Sequence, residues 1–539
     1  MKHPLAWFAP LALVALAASC SDDDSAPSNG VPGPESGAGG TNAAGRAGGG
    51  GRGGIGGTAG KAGGSSGSPA VAAGGEAGAQ PLPEGGTGGE AGAGGTATSV
   101  PFDGSCRTLP GTVVYIESGD TQENLLKNLG RHLRDTAGIT LAFNLTGSCA
   151  LTSDMYSGAK VAKSGTLKYI PSTAEDPNWT TAMAEPTCTT GADGVSLDLA
   201  ISALFVESCG LGAAPENIAL IQGPIQAYTF IVPTASEQKA IWAEEAYYAF
   251  GFGAANPLAP AYNPWNNESF LFIRPATKST LVATAKNIAV PPNKWKGVPE
   301  AASSDVVTAV STSAQPKATI GILGAEVYDS NRNKGIQTLA FQAFEQSAAF
   351  YPDSTSTAFD KQNVRDGHYT LWSPTVYLAR VDSAKRVTNP AAKYLVDLVL
   401  GDSAATPPSG GNKFDSLSDV VKVGLIPDCA MHVSRSVDGG DLTPYVPAES
   451  CTCYYLSKVP GATGIPAGCT ACTSNSSCGG GSCNHGFCEP DAVTSAGTGV
   501  AGCFSGTPST HEQLINACTT AESVLKPVTL PSVDLMALP

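Results

Sequence analysis

The stretch TVVYIESGDTQENLLKNLGRHL, Thr112 to Leu133, decides the fold. Its apolar run Val113–Ile116 reads as a strand and breaks into Ser118-Gly119-Asp120-Thr121. Leu125, Leu126, Leu129 and Leu133 then recur at helical spacing. A strand that ends in small polar residues and turns directly into a helix has two readings. It aims backbone N–H groups and hydroxyls at an anion, or it is an ordinary helix cap.

The alternation continues outward from this unit. ITLAFNL (Ile139–Leu145) is a second strand and ends in Thr146-Gly147-Ser148; GVSLDLAISALF holds a third; AYTFIVP (Ala227–Pro233) is strongly β-like. SEQKAIWAEEAYYAFGF is expected to be helical, with Ser236 as cap and Glu237 in the first turn. SFLFIRP, TLVATAKNIAV, ATIGILGAEVY, GHYTLWSPTVYLAR and NPAAKYLVDLVL extend the pattern to Leu400. Such alternation predicts an α/β fold with helices on both faces of the sheets. A span of about 300 residues favours two lobes over one.

The whole chain, at 539 residues, exceeds what one core serves. A net charge of −15 argues against nucleic acid as a partner. Residues 1–20 read as an export signal: Lys2, an apolar run Leu5–Ala18, then small residues before Cys20. The segment resembles a bacterial lipobox, with Leu16 one place early, so Cys20 is the expected lipidation site and membrane anchor. Residues 21–100 are rich in Gly, Ala and Ser and cannot bury a core; they are expected to form a disordered tether. As a flexible coil it would span about 50 Å. TAGKAG (Thr58–Gly63) is no phosphate loop, because Ala62 follows Lys61 and no strand precedes it.

Removing Cys20 leaves fourteen cysteines in two even groups, four from Cys106 to Cys209 and ten from Cys429 to Cys518. Each group is expected to close its own disulfides in an oxidising compartment. Residues 101–410 then form the two-lobed domain and 411–539 a disulfide-stapled extension. A zinc site at Cys469, Cys472, Cys483 and His485 is disfavoured by the surplus cysteines and export.

The order of these pieces resembles the phosphate-type periplasmic substrate-binding proteins, the two-lobed (type 2) receptors of ABC transporters. The resemblance runs from about Thr112 to Leu400. It rests on the Glu117–Thr121 loop, the Gly147-Ser148 turn, LDLAISA (Leu197–Ala203), Val232-Pro233, YNPWNN (Tyr262–Asn267), Arg274 to Thr280, Trp295-Lys296-Gly297 and GHYTLW. It implies a non-catalytic protein that captures phosphate or another small oxyanion between its lobes by hinge closure, with an ABC permease as partner. The residues it implies for the site are Ser118, Gly119, Asp120, Thr121, Gly147, Ser148, Asp198, Ser202, Arg274, Lys278, Ser279 and Thr280. Hydroxyls, helix N-termini and an arginine fork suit a buried anion. The expected location is the bacterial cell envelope; no cofactor or metal is expected.

Two departures touch the ligand. Ala203 stands where phosphate receptors carry a carboxylate that accepts the ligand's proton, and Lys278 stands at a serine position. Loss of an acceptor and gain of a cation favour a fully ionised anion or a carboxylate. Glu117 and Asp120 bring negative charge to the same loop and offer Lys278 a partner. Simpler roles stand beside each candidate: Arg274 and Lys278 as solvated cations, Ser118 and Ser148 as caps, Asp198 as a buried structural partner, His368 and Tyr369 as packing residues. A Ser-x-x-Lys match at Ser157–Lys160 lacks the distant partner motif of penicillin-recognising enzymes. The alternative function is a surface interaction or adhesion-type protein that reuses the scaffold without anion transport; the tether and the extension favour it, and a filled cleft would distinguish it.

Overall fold

The computed structural model describes residues 102–256, 264–402, 404–408, 410–489, 499–525 and 538. The export signal, Cys20, the glycine-rich segment and Tyr262–Asn263 lie outside them.

The opening unit is a β-α-β. Strand Thr112–Gly119 leads through a single 3-10 turn, Asp120–Gln122, into helix Glu123–Ala137. The helix buries Leu125, Leu126, Leu129 and Leu133 and ends at Gly138 in the left-handed conformation that glycine accepts without strain. Strand Ile139–Thr146 then pairs in parallel with the first along its whole length, Thr112 opposite Ile139 and Gly119 opposite Thr146. Gly130 lets the helix sit close on its neighbours, since a β-carbon there would lie 2.7 Å from the Ile170 side chain.

The fold is the expected α/β, two-lobed class. One 11-stranded sheet runs through it. Its spine is strand Ile218–Pro233, sixteen residues long. The first part, Ile218–Ala227, pairs antiparallel with strand Trp372–Arg380, beyond which lie Leu199–Ser202, Thr112–Gly119, Ile139–Thr146, Thr166–Tyr169 and Thr187–Thr189. From Tyr228 to Ile231 it pairs with strand Ile320–Gly324, beyond which lie Leu271–Ile273 and Val298–Pro299. Each half of the sheet carries its own core. Val114, Leu129, Phe143, Tyr377 and Leu395 belong to the first, and Tyr228, Phe250, Trp265, Leu281 and Ile322 to the second.

Two expectations need correcting. The segment from Ser236 does not begin a helix: Ala240–Trp242 forms a strand parallel to Ala340–Gln342, and the helix starts at Ala243. Pairing across the fold overrides local helical spacing. The β-like stretch seen from Ala227 starts nine residues earlier, at Ile218.

All fourteen described cysteines are paired, each group within itself as expected. The ten C-terminal cysteines staple a region that also contributes to the second core through Met431, Val433, Leu442, Tyr455, Leu514 and Ile515. Helix Ser416–Lys422 touches both cores: Val420 joins the first, Leu417 and Val421 the second. His132 Nδ1 lies 2.9 Å from Asp419 Oδ2 and ties that helix to Glu123–Ala137. Asp438 accepts hydrogen bonds from Ser208 Oγ at 2.6 Å and Ser373 Oγ at 2.5 Å, which joins the extension to the crossing region. Among the described residues no helix is long and apolar enough to cross a membrane.

Candidate functional site

In the first lobe the parallel strands 112–119, 139–146 and 199–202 end together, as their registers require, and present Gly119, Thr146 and Ser202 at one edge. In open α/β sheets this carboxyl edge is where ligands are held. The second lobe brings the segment from Arg274 to Thr280 against it. The approach is close: a β-carbon on Gly147 would lie 2.7 Å from the Thr277 carbonyl oxygen, so only glycine fits here. Disulfide Cys149–Cys209 fastens the helix start at Ser148 to the segment after strand 199–202.

The centre of the site is a carboxylate of the chain itself. Arg274, 1% exposed, donates from Nη2 to Asp120 Oδ2 at 2.9 Å and from Nη1 to Ser303 Oγ at 2.7 Å. Ser303 Oγ donates to the same Asp120 oxygen at 3.0 Å. Lys278 Nζ meets Asp120 Oδ1 at 3.2 Å and the Thr146 carbonyl at 3.1 Å. Burial opposes ionisation of Asp120, but Arg274, then Lys278, then the Ser303 hydroxyl outweigh it and hold its carboxyl below the ordinary range. Two cations facing one carboxylate leave one positive charge in excess. The pairing of Asp120 with Lys278 is the one the sequence suggested; Arg274 and Ser303 join it.

The other predicted residues divide. Ser118 is fully buried, and its hydroxyl turns to the Gly119 carbonyl. Thr121 is buried, and its hydroxyl has no partner among the described residues. Ser148 Oγ accepts from the Ala203 backbone N–H at 3.1 Å, and the Ser202 hydroxyl donates to the Leu204 carbonyl at 3.1 Å; both hold turns. Ser279 and Thr280 open helix Ser279–Asn287 and are buried beneath the seat. Asp198 lies elsewhere: it precedes strand 199–202, at the end opposite Ser202, and accepts from the Tyr115 N–H at 2.9 Å. It fixes strand alignment, which is the structural role considered for it. His368 and Tyr369 are buried, with His368 Nε2 2.9 Å from the Ala517 carbonyl and Tyr369 Oη donating to the Tyr228 carbonyl at 2.7 Å. Ser157 and Lys160 are exposed.

The sequence reading missed Ser303, although Ser303-Ser304-Asp305 before an apolar run is a helix-start signal. It also missed a buried polar chain beside the seat. Gln122 Nε2 donates to Gln226 Oε1 at 2.6 Å, and Gln226 Nε2 to Glu326 Oε1 at 3.2 Å. Burial pushes the Glu326 carboxyl well above its ordinary value, with Asp329 and Asp120 adding to the rise. No local motif marks these residues; only the lobe contact unites them.

Behind the loop, burial raises the Glu117 carboxyl to about 7, and neighbouring Asp154 adds to it. Its Oε1 accepts from Asn144 Nδ2 at 3.3 Å, while Oε2 has no partner among the described residues. A folded value above the unfolded 4.5 means that stability falls as pH rises from 4.5 to about 7. Glu117→Gln removes that penalty. Its melting temperature should exceed wild type by roughly 2–4 °C at pH 8 and match it at pH 4. The same difference at both pH values would show that Glu117 is not the titrating group.

The fold and the edge-on seat define a two-lobed α/β architecture. No protein-family model matches the chain, and no curated protein matches it. Solved structures do. A putative phosphate ABC transporter substrate-binding protein with bound phosphate from Clostridium perfringens is 10% identical over 59% of this chain and 99% of its own, with a TM-score of 0.38. An ABC-type phosphate transport receptor from Vibrio cholerae is 13% identical over 58% of this chain and 99% of its own, TM-score 0.36. The reduced OxyR regulatory domain from Pseudomonas aeruginosa is 11% identical over 53% and 95%, TM-score 0.30. Identities and scores this low say nothing about the ligand of this chain.

Proposed function

We propose that this chain is a non-catalytic binding protein of the cell envelope that reuses a two-lobed receptor scaffold, keeps its interlobe seat filled with its own Asp120, and works through its outer surface. Residues 1–20 are the export signal with Cys20 as lipid anchor, 21–100 the tether, 101–410 the lobes and 411–539 a docked extension. The observation that carries this reading is the convergence of Arg274, Lys278 and Ser303 on the Asp120 carboxylate. A ligand tethered in place acts at an effective concentration of about millimolar or more. Free phosphate has to displace it and strand a buried carboxylate. Helix Ser416–Lys422 between the cores and Asp438 at the crossing region oppose the hinge opening that exchange requires.

A second reading is favoured by the surplus positive charge: Asp120 swings aside, and the seat receives phosphate or another small oxyanion for an ABC permease. Calorimetric titration of the full chain with phosphate, sulfate and small carboxylates, beside Arg274→Ala, separates the two. The first reading expects no binding tighter than about 1 mM, which corresponds to roughly 4 kcal/mol. Tighter binding that Arg274→Ala abolishes would overturn it in favour of the receptor.

A further inference from the structure

A cavity of about 780 Å³ lies away from the interlobe seat. Strand Ile336–Thr338, which pairs with the end of the spine strand, lines one side; strand Ser523–Val524, the edge of a separate 4-stranded sheet, lines the other. The volume falls within the roughly 300–1,000 Å³ of small-molecule sites. Tyr328 and Tyr351, 5% and 3% exposed, also line it. The Tyr351 ring is buried, but its phenol oxygen is not enclosed and makes no hydrogen bond to any described residue, so it is open to a guest in the cavity. Burial, with Glu522 and Tyr328 nearby, pushes that phenol up to about 12, so it remains an O–H donor.

The charges around the cavity cancel. Lys239 Nζ donates to Gln337 Oε1 at 3.2 Å, and Glu522 accepts the Ser356 N–H on Oε2 at 2.9 Å, leaving Oε1 to accept from a guest. Arg332 is held by Asp329 at 2.6 Å and Asp353 at 3.1 Å, and Lys361 bonds the same two carboxylates at 2.7 and 2.9 Å, so three cations with Lys239 balance three carboxylates with Glu522. The lining therefore offers donors, acceptors and the apolar Ile336 and Val524, with no net charge to attract an ion. Strands of three and two residues are too short to add an extended peptide as a further strand.

We propose that this cavity is a saccharide site: it takes a neutral polyhydroxylated ring whose hydroxyls meet Tyr351, Lys239 and Glu522 and whose C–H face meets Ile336 and Val524. The proposal is independent of the interlobe seat, which anion titration reads separately, so either can fail alone. The test applies the full chain to an array of neutral glycans and titrates the strongest binder against wild type, Tyr351→Phe and Glu522→Gln. Both substitutions keep side-chain size, and melting curves check the fold. The expected result is binding that weakens about 3- to 10-fold in each variant with melting unchanged, the effect of one lost hydrogen bond. No binding to any glycan, binding unchanged in both variants, or a peptide library that binds where glycans do not would each overturn the proposal.

Discussion

Asp120→Ala is expected to lower the melting temperature sharply and to make stability depend on added sulfate or phosphate, which wild type ignores. The substitution removes the only carboxylate bonded to Arg274 among the described residues, leaving the guanidinium with Ser303 and the Ala301 carbonyl. Among the described residues Lys278 keeps only the Thr146 carbonyl. Breaking a buried pair from one side costs about 3–5 kcal/mol, because the remaining charge has lost both water and partner. The alanine also vacates space between two cations and a hydroxyl. An oxyanion bound there at 100 times its dissociation constant returns about 2.7 kcal/mol. Wild type carries a matching pH signature. The Asp120 carboxyl titrates below its unfolded value of 3.8, so its contribution is present above that value and is lost as pH falls through the folded one. Asp120→Ala should lack this acid-linked loss. Thermal melts with and without sulfate at neutral pH decide the matter. A folded variant as stable as wild type and indifferent to anions would mean that the seat is not an anion site in any state.

The second large effect is expected at Val421→Asp. Val421 is 2% exposed on helix Ser416–Lys422 and faces the second core, while its neighbour Val420 faces the first. A carboxylate there would be buried among the apolar side chains of the second core. Destabilisation of about 3–5 kcal/mol is expected, accompanied by native-state trypsin cleavage at Lys413 or Lys422. Melting within about 1 kcal/mol of wild type would show that the helix is not clamped between the cores.

The alternation of strands and helices was legible because each element carries its own periodicity, as Leu125 to Leu133 do. Arg274, Lys278 and Asp120 came forward as candidates only through the family resemblance of the loops that carry them, since charge and spacing alone read equally as a solvated surface. Their mutual pairing was only half visible, since Arg274 and Asp120 are 154 positions apart. The first part of the spine strand escaped because Gly223 and Pro224 interrupt its β-like run; they fall at an irregularity where the register with Trp372–Arg380 shifts, and the pairing on either side carries the strand through. Gln122, Gln226 and Glu326 were invisible for a related reason: a buried polar chain has no sequence period. The docking of the extension was hidden by dilution, for Val433, Leu442, Tyr455 and Leu514 are scattered among polar and cysteine-rich stretches.

The spine strand and its partners mean that neither core is a continuous piece of chain. The first waits for Tyr377, Leu395 and Val420, and the second for Leu514 and Ile515, almost three hundred positions after Tyr228. A chain emerging N-terminus first closes the first core only after Val420 and Leu425 have been delivered, and the second only after Ile515. Late closure of this kind keeps the chain extended and unfolded for most of its synthesis. It also means that a nascent chain interrupted before residue 514 would be left with its second core unfinished, open to proteolysis rather than trapped as a half-built receptor.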